Sequence, residues 1–109
     1  MNLFRSTLLL SLAATAPFTA HAASSAEQRI RGAAVFAGNG CTHCHTINHN
    51  GGTIGPNLSD VGQRLKEDQI RAQILHGSHQ MPAFAEILQK AETDDLVAYL
   101  RSCRDKETK

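Results

Sequence analysis

A segment of fourteen residues near the middle of the chain, NGCTHCHTINHNGG, concentrates side chains that can bind a metal or change redox state. It contains Cys41, Cys44 and His45 in a C-x-x-C-H arrangement, with His43 and His49 beside them. Three chemistries use such a set: a structural zinc site, a redox-active dithiol and the covalent attachment of haem. Because each predicts a different class of protein, the rest of the sequence is needed to distinguish them.

The first 22 residues have the layout of a secretory signal peptide, which bears on the redox state of the cysteines. Arg5 supplies a positive charge, residues 7–18 form a largely apolar run, and small residues follow at Ala20 and Ala22. An uncleaved membrane anchor is the alternative, but the run is shorter than the roughly 20 residues that a spanning helix needs. We therefore predict cleavage after Ala22 and a periplasmic product, 23–109, that is not stably inserted in a membrane.

The mature segment is predicted to be a single domain with an ordered core over about 26–104. It has no Trp, one Tyr and only two Phe residues, Phe36 and Phe84. A domain of this size buries little apolar surface, so we expect a stabilising cross-link or a large apolar cofactor to complete its core. Ten Lys and Arg residues balance ten Asp and Glu residues in this segment. Its charge therefore gives no reason to expect nucleic acid binding.

Hydrophobic periodicity predicts an all-α fold with glycine-rich loops, because no alternating strand pattern is present. We expect helices over about 26–37, over about 66–76 and from Thr93 onwards, with Gly77 ending the second. Gly32, inside the first helix, indicates close packing against another element. The expected apolar stripes are Ile30, Ala33, Ala34 and Ala37 on the first helix, Ile70 and Ile74 on the second, and Leu96, Tyr99, Leu100 and Cys103 on the third.

The C-x-x-C-H motif in an exported chain favours haem attachment over its alternatives. Two thiols three positions apart can form thioethers with the two haem vinyl groups, and the next residue, His45, brings its imidazole beneath the iron. A thioredoxin-like dithiol needs a βαβ context, which this sequence lacks. A zinc site with Cys41, Cys44, His45 and His49 as ligands would lack the regular second half that usually accompanies such clusters. A structural disulfide would leave His45 unexplained.

Taken with the segments around the motif, the sequence resembles the class I cytochrome c family, and in particular its small monohaem bacterial members. The resemblance covers about 28–101 and is carried in order by GAAVFAGNGCTHCH, GPNL, MPAF and DDLVAYL. It implies a small cytochrome c fold of about three to five helices around one haem c. It also implies that the face of the first helix with Gly32 and Phe36 crosses the last helix near Leu96 and Tyr99.

The resemblance also implies a role for each residue of the site. Cys41 and Cys44 would bind haem covalently, His45 would be the proximal iron ligand, and Met81 the distal one. The carbonyl of Pro56 would accept the Nδ1 hydrogen of His45 and fix the orientation of its ring. Ligation by His and Met is typical of electron transfer. The expected function is therefore a monomeric one-electron carrier between redox proteins, with no catalytic residues.

Two other functions use the same haem attachment and remain open. A gas-binding protein or sensor would release Met81 so that a small ligand can bind the iron. A small peroxidase would need a vacant distal position and a catalytic side chain, for which His79 is the candidate. His79 is also the alternative distal ligand. The remaining histidines are interpreted as surface residues, and Cys103 as an apolar residue of the last helix.

Overall fold

A computed structural model of the chain describes residues 12–17 and 21–105, apart from the side chains of 21–24. Most of the predicted signal peptide lies outside these residues, and 12–17 has no regular secondary structure. Among the residues described, no helix combines the length and the hydropathy needed to cross a membrane. Cleavage after Ala22 and the boundaries of the mature domain stay predictions.

The described part of the chain forms five helices and one short antiparallel hairpin. The predominance of helices agrees with the predicted all-α class, whereas the hairpin was not expected. In chain order the elements are α1 His21–Gly38, α2 Cys41–Cys44, β1 Thr46–Ile47, β2 Asn50–Gly51, α3 Val61–Arg64, α4 Glu67–His76 and α5 Lys90–Ser102.

The hairpin depends on its turn rather than on an alternating pattern. Ile47 pairs with Asn50, which leaves a two-residue turn of Asn48 and His49. Both turn residues have positive φ, 49° and 65°. Two-residue turns whose twist matches that of a hairpin require this backbone conformation. The Asn48 amide also donates to the hydroxyl of Ser59 at 2.9 Å. Strands of two residues are too short for hydrophobic alternation to reveal them.

Helices α1 and α5 cross at a glycine. A Cβ built on Gly32 would overlap the backbone oxygen of Asp95 and lie 2.6 Å from the Cβ of Tyr99. One turn further along α1, the ring of Phe36 meets that of Tyr99 edge-on, with centroids 5.9 Å apart. The Arg31 guanidinium donates to the Asp95 carboxylate at 2.9 Å across the same crossing. The close packing predicted for Gly32 is therefore present.

The apolar stripe predicted for α1 is wrong. Ile30 is 70% exposed, and Ala34 and Ala37 are exposed as well, whereas Gly32 and Phe36 are buried. Only a position without a side chain lets the backbones of α1 and α5 approach so closely, so the Gly32 face turns inward. The alanines have helical spacing on either face, and their spacing alone does not reveal which face is buried.

The predicted start of the last helix is also wrong. Helix α5 begins at Lys90, and the backbone amide of the preceding residue, Gln89, donates to the carboxylate of Glu92 at 2.9 Å. Thr93 is buried one turn inside the helix, and its hydroxyl donates to the carbonyl of Gln89 at 3.3 Å. Glu92 at the third helical position thus satisfies the amide that precedes the helix, and the helix begins three residues before Thr93.

The other helix predictions agree with the structure, except that α1 begins at His21 rather than at about 26. Helix α4 ends at His76, before Gly77 with its positive φ of 63°, and buries Ile70 and Ile74. On α5 Leu96 and Leu100 are buried, while Tyr99 and Cys103 are half-buried against the core. The buried apolar residues are Phe36, Ile47, Val61, Ile70, Ile74, Leu88, Leu96, Val97 and Leu100.

Gly32→Ala is expected to lower the free energy of unfolding of the haem-loaded protein by about 3 kcal/mol, because the new methyl group forces two backbones apart. Gly38→Ala is the matched control, since a Cβ there would meet nothing within 4 Å. It should leave stability unchanged or raise it slightly. Denaturant unfolding of both variants measures the difference, and equal midpoints would show that the crossing tolerates a side chain.

Candidate functional site

A sharp turn positions the cysteine motif directly after α1. Asn39 ends that helix with its side-chain amide, which donates to the carbonyl of Val35 at 2.8 Å. Gly40 follows in the left-handed region, with a φ of 77°, and α2 begins at the next residue. In a single helical turn, residues three apart lie on the same face. The turn therefore puts the side chains of Cys41 and Cys44 side by side.

Both cysteines of the motif are half-buried thiols. Cys41 packs against the apolar core, and this burial raises the pKa of its thiol above the ordinary value. None of the three cysteines, all of which the structure describes, is in a disulfide. A position that disfavours a thiolate suits a sulfur that stays uncharged, as it does in a thioether.

A glycine-rich loop lies along the backbone of the motif. The amide of Gly52 donates to the carbonyl of Thr42 at 2.8 Å, and that of Gly55 donates to Cys44 at 2.7 Å. A side chain on Gly52 would overlap the carbonyl of His43. The loop thus binds the motif through close backbone contacts that only glycine permits. Sequence reasoning did not assign this role, although three glycines within five residues were the available signal.

The imidazole of His45 is held from two sides. Its Nδ1 lies 2.7 Å from the carbonyl oxygen of Pro56, as the resemblance implies. Because a carbonyl can only accept, Nδ1 carries a hydrogen, which makes Nε2 the nitrogen that could bind a metal. The ring also packs on Gly55, where a Cβ would lie 2.7 Å from Cε1. The ring of His45 is therefore held in one orientation, with Nε2 on the side away from Pro56.

Met81 lies on a different segment, in a tight turn after α4. The backbone amide of Met81 donates to the carbonyl of Ser78 at 2.7 Å, and the amide of Ser78 donates to the carbonyl of Met81 at 3.1 Å. These two bonds close the turn. Gly77 precedes it at the end of α4, where a side chain would overlap the Met81 carbonyl. Met81 is half-buried, whereas His79 is exposed and has a φ of 44°.

The structure thus brings four of the five predicted site residues into one local unit and places the fifth on another loop. Cys41, Cys44, His45 and Pro56 are joined by α2 and its hydrogen bonds, and Met81 is held by the turn after α4. Within 12–17 and 21–105, no group of three or more His, Cys, Asp or Glu side chains is placed to hold a metal ion. The side chains considered as zinc ligands, Cys41, Cys44, His45 and His49, therefore do not lie together as a metal site.

The remaining candidate residues have ordinary surroundings. The side chains of His43, His49 and His76 are exposed, as expected. Cys103 is half-buried near the end of α5, with its sulfur 3.5 Å from the carbonyl of Tyr99. Desolvation by burial raises the pKa of its thiol above the usual value. This position agrees with the interpretation of Cys103 as an apolar packing residue.

Comparisons with known proteins extend these observations. The sequence profile described as "Cytochrome C oxidase, cbb3-type, subunit III" matches residues 27–100. The menaquinol:cytochrome c reductase cytochrome c subunit of Bacillus subtilis (strain 168) is 44% identical over 57 residues, which are 52% of this chain and 22% of that protein. The chain thus spans only about a fifth of that relative's length.

A solved structure shows the same fold. The c-type cytochrome SorU from Sinorhizobium meliloti superposes with a TM-score of 0.62 at 24% identity. The superposition covers 72% of this chain and 93% of SorU. The likeness spans nearly all of that protein, so this part of the chain has the same fold as SorU.

Proposed function

Because the chain belongs to the cytochrome c family, through its match to the cbb3-type subunit III profile, we propose that it is a periplasmic monohaem one-electron carrier. Members of this family carry covalently bound haem c, and so does this chain, with Cys41 and Cys44 as the two cysteines present for it. The finer assignments of iron ligands, compartment and task are our own. The hydrogen bond between His45 and Pro56 is the observation that most directly supports His45 as an iron ligand.

The donor set fits haem c. Two neighbouring thiols can form the two thioethers, the imidazole of His45 offers Nε2, and the thioether of Met81 offers a soft second ligand. Haem, when bound, supplies an iron that takes up one electron and later releases it. His and Met together favour the ferrous state relative to ligation by two imidazoles, which suits a carrier of high potential.

The residues around the ligands contribute rigidity. Pro56 and Gly55 fix the ring of His45, and the backbone bonds of Ser78 fix Met81. Such ligands keep the same arrangement in both redox states, so little rearrangement accompanies electron transfer. The chain thus holds and orients the cofactor, while the chemistry belongs to the cofactor itself.

We propose that the protein is a monomer and that its partners are other redox proteins, with which it exchanges electrons. Several charges on the described surface are paired, among them Arg64 with Asp60 at 2.7 Å and Arg71 with Asp94 at 2.7 Å. With a mature chain that is near neutral, these pairs leave little field to steer a partner from a distance. We therefore propose that docking relies on contacts at short range.

Potentiometry of the purified holoprotein tests the carrier function. We expect one reversible step that fits a single electron, with six-coordinate spectra in both redox states and no change on adding carbon monoxide to the ferrous protein. Ready binding of carbon monoxide to the unmodified ferrous protein would instead support the gas-binding alternative. Rapid turnover of hydrogen peroxide would support the peroxidase alternative.

A further inference from the structure

The side chain of Gln73, on α4, contacts the turn that carries Met81. The function proposed above gives Gln73 no role. The side-chain nitrogen of Gln73 lies 2.9 Å from the hydroxyl oxygen of Ser78. The same nitrogen lies 3.5 Å from the sulfur of Met81, within reach of a hydrogen bond to sulfur. Gln73 thus bridges both ends of the turn.

The chemistry of the three groups assigns the direction of these bonds. A thioether sulfur has no hydrogen, so it can only accept, and the amide nitrogen is the group that must face it. That nitrogen carries two hydrogens, enough for Ser78 and Met81 together. Sulfur has two lone pairs, so it can bind a metal with one and accept the amide hydrogen with the other.

The rest of the turn is anchored to the same part of α4. The carbonyl of Ile74, the residue after Gln73, accepts the amide of Phe84 at 3.0 Å, beyond Met81 in the chain. Ile74 itself is buried in the core. The turn is therefore held on both sides of Met81 by one rigid helical segment.

We propose that Gln73 is a positioning residue for the thioether of Met81, an inference that rests on the proposed ligation of iron by Met81. Its amide orients the sulfur by engaging one lone pair, which leaves the other for the iron. The positive end of the N–H dipole also withdraws electron density from the sulfur. Both effects stabilise the ferrous state relative to the ferric state and raise the reduction potential.

Gln73→Leu tests this directly, because leucine keeps much of the side-chain volume and lacks the donor. We expect a lower reduction potential and a weaker sulfur-to-iron absorption band in the ferric protein. Exogenous imidazole, which competes with Met81 for the iron, should bind with an affinity about fivefold higher, as expected for the loss of one hydrogen bond. Gln80→Leu is the matched control, since it makes the same change in the same turn at an exposed position. It should leave all three measurements unchanged.

Ser78→Ala separates positioning of the sulfur from support of the turn. It removes the second partner of the Gln73 amide and leaves the contact with Met81, so it should affect the potential much less than Gln73→Leu does. Equal shifts in the two variants, or none in Gln73→Leu, would overturn the positioning role. Absence of the sulfur-to-iron band from the unmodified protein would instead refute the ligation by Met81 on which the inference rests.

Discussion

Met81→Ala is expected to abolish the long-wavelength sulfur-to-iron band of the oxidised protein and to open the ferrous iron to carbon monoxide. The substitution removes the only methionine of the predicted mature chain. Loss of a soft ligand that favours Fe(II) should also lower the reduction potential, by about 0.1 V or more. Absorption spectra of both redox states, a carbon monoxide titration and potentiometry measure these three effects.

His79→Ala is the informative companion variant. His79 stands two residues before Met81 in the same turn, but its side chain is exposed. If Met81 is the ligand, His79→Ala should leave the band, the potential and the response to carbon monoxide close to those of the unmodified protein. Absence of the band from the unmodified protein, together with a changed potential and carbon monoxide binding in His79→Ala but not in Met81→Ala, would establish ligation by two histidines, and the carrier would then be one of low potential.

The second large effect concerns the covalent attachment of haem. Protein made in a host with the c-type maturation machinery should keep its haem through extraction with acidified acetone. Its mass should equal residues 23–109 plus one haem, if cleavage follows Ala22. Cys44→Ala removes one thioether, and His45→Ala removes the proximal ligand. Both variants should accumulate about tenfold less holoprotein, because the cofactor completes a small core.

Cys103→Ala is the matched control for these variants, because it removes the third cysteine of the chain. Cys103 lies on α5 and packs beside Tyr99, so its loss should cost some stability and leave haem attachment intact. Haem that is free in the extract of the unmodified protein, together with the mass of the bare polypeptide, would contradict covalent attachment.

Much of the site could be predicted because its chemistry is local. The two cysteines and the histidine act through spacing along five residues, and a one-turn helix reproduces that spacing wherever the motif stands. The family prediction, which rested on this motif and three later segments, is confirmed by the comparisons. Ligation by Met81 stays a prediction, because it joins segments that only the bound cofactor would link.

Local sequence also determined the end of α4 and its buried face. Gly77 can adopt the positive φ that ends the helix, and Ile70 and Ile74 are the apolar pair one turn apart. Both features follow from the backbone and the side chains of a single helix. No neighbouring element was needed to predict them.

Tertiary structure alone decided the features that depend on two backbones at once. Spacing gave α1 more than one plausible inner face. The family resemblance named the face with Gly32 and Phe36, and the contact of Gly32 with α5 is the physical reason why that face is buried. The same holds for the loop whose Gly52 lies against the carbonyl of His43, and for the bond from Gln73 to Met81. Spacing along a chain specifies which residues share a face. Which face is buried, and against what, depends on the distance to another segment, which one-dimensional spacing does not contain.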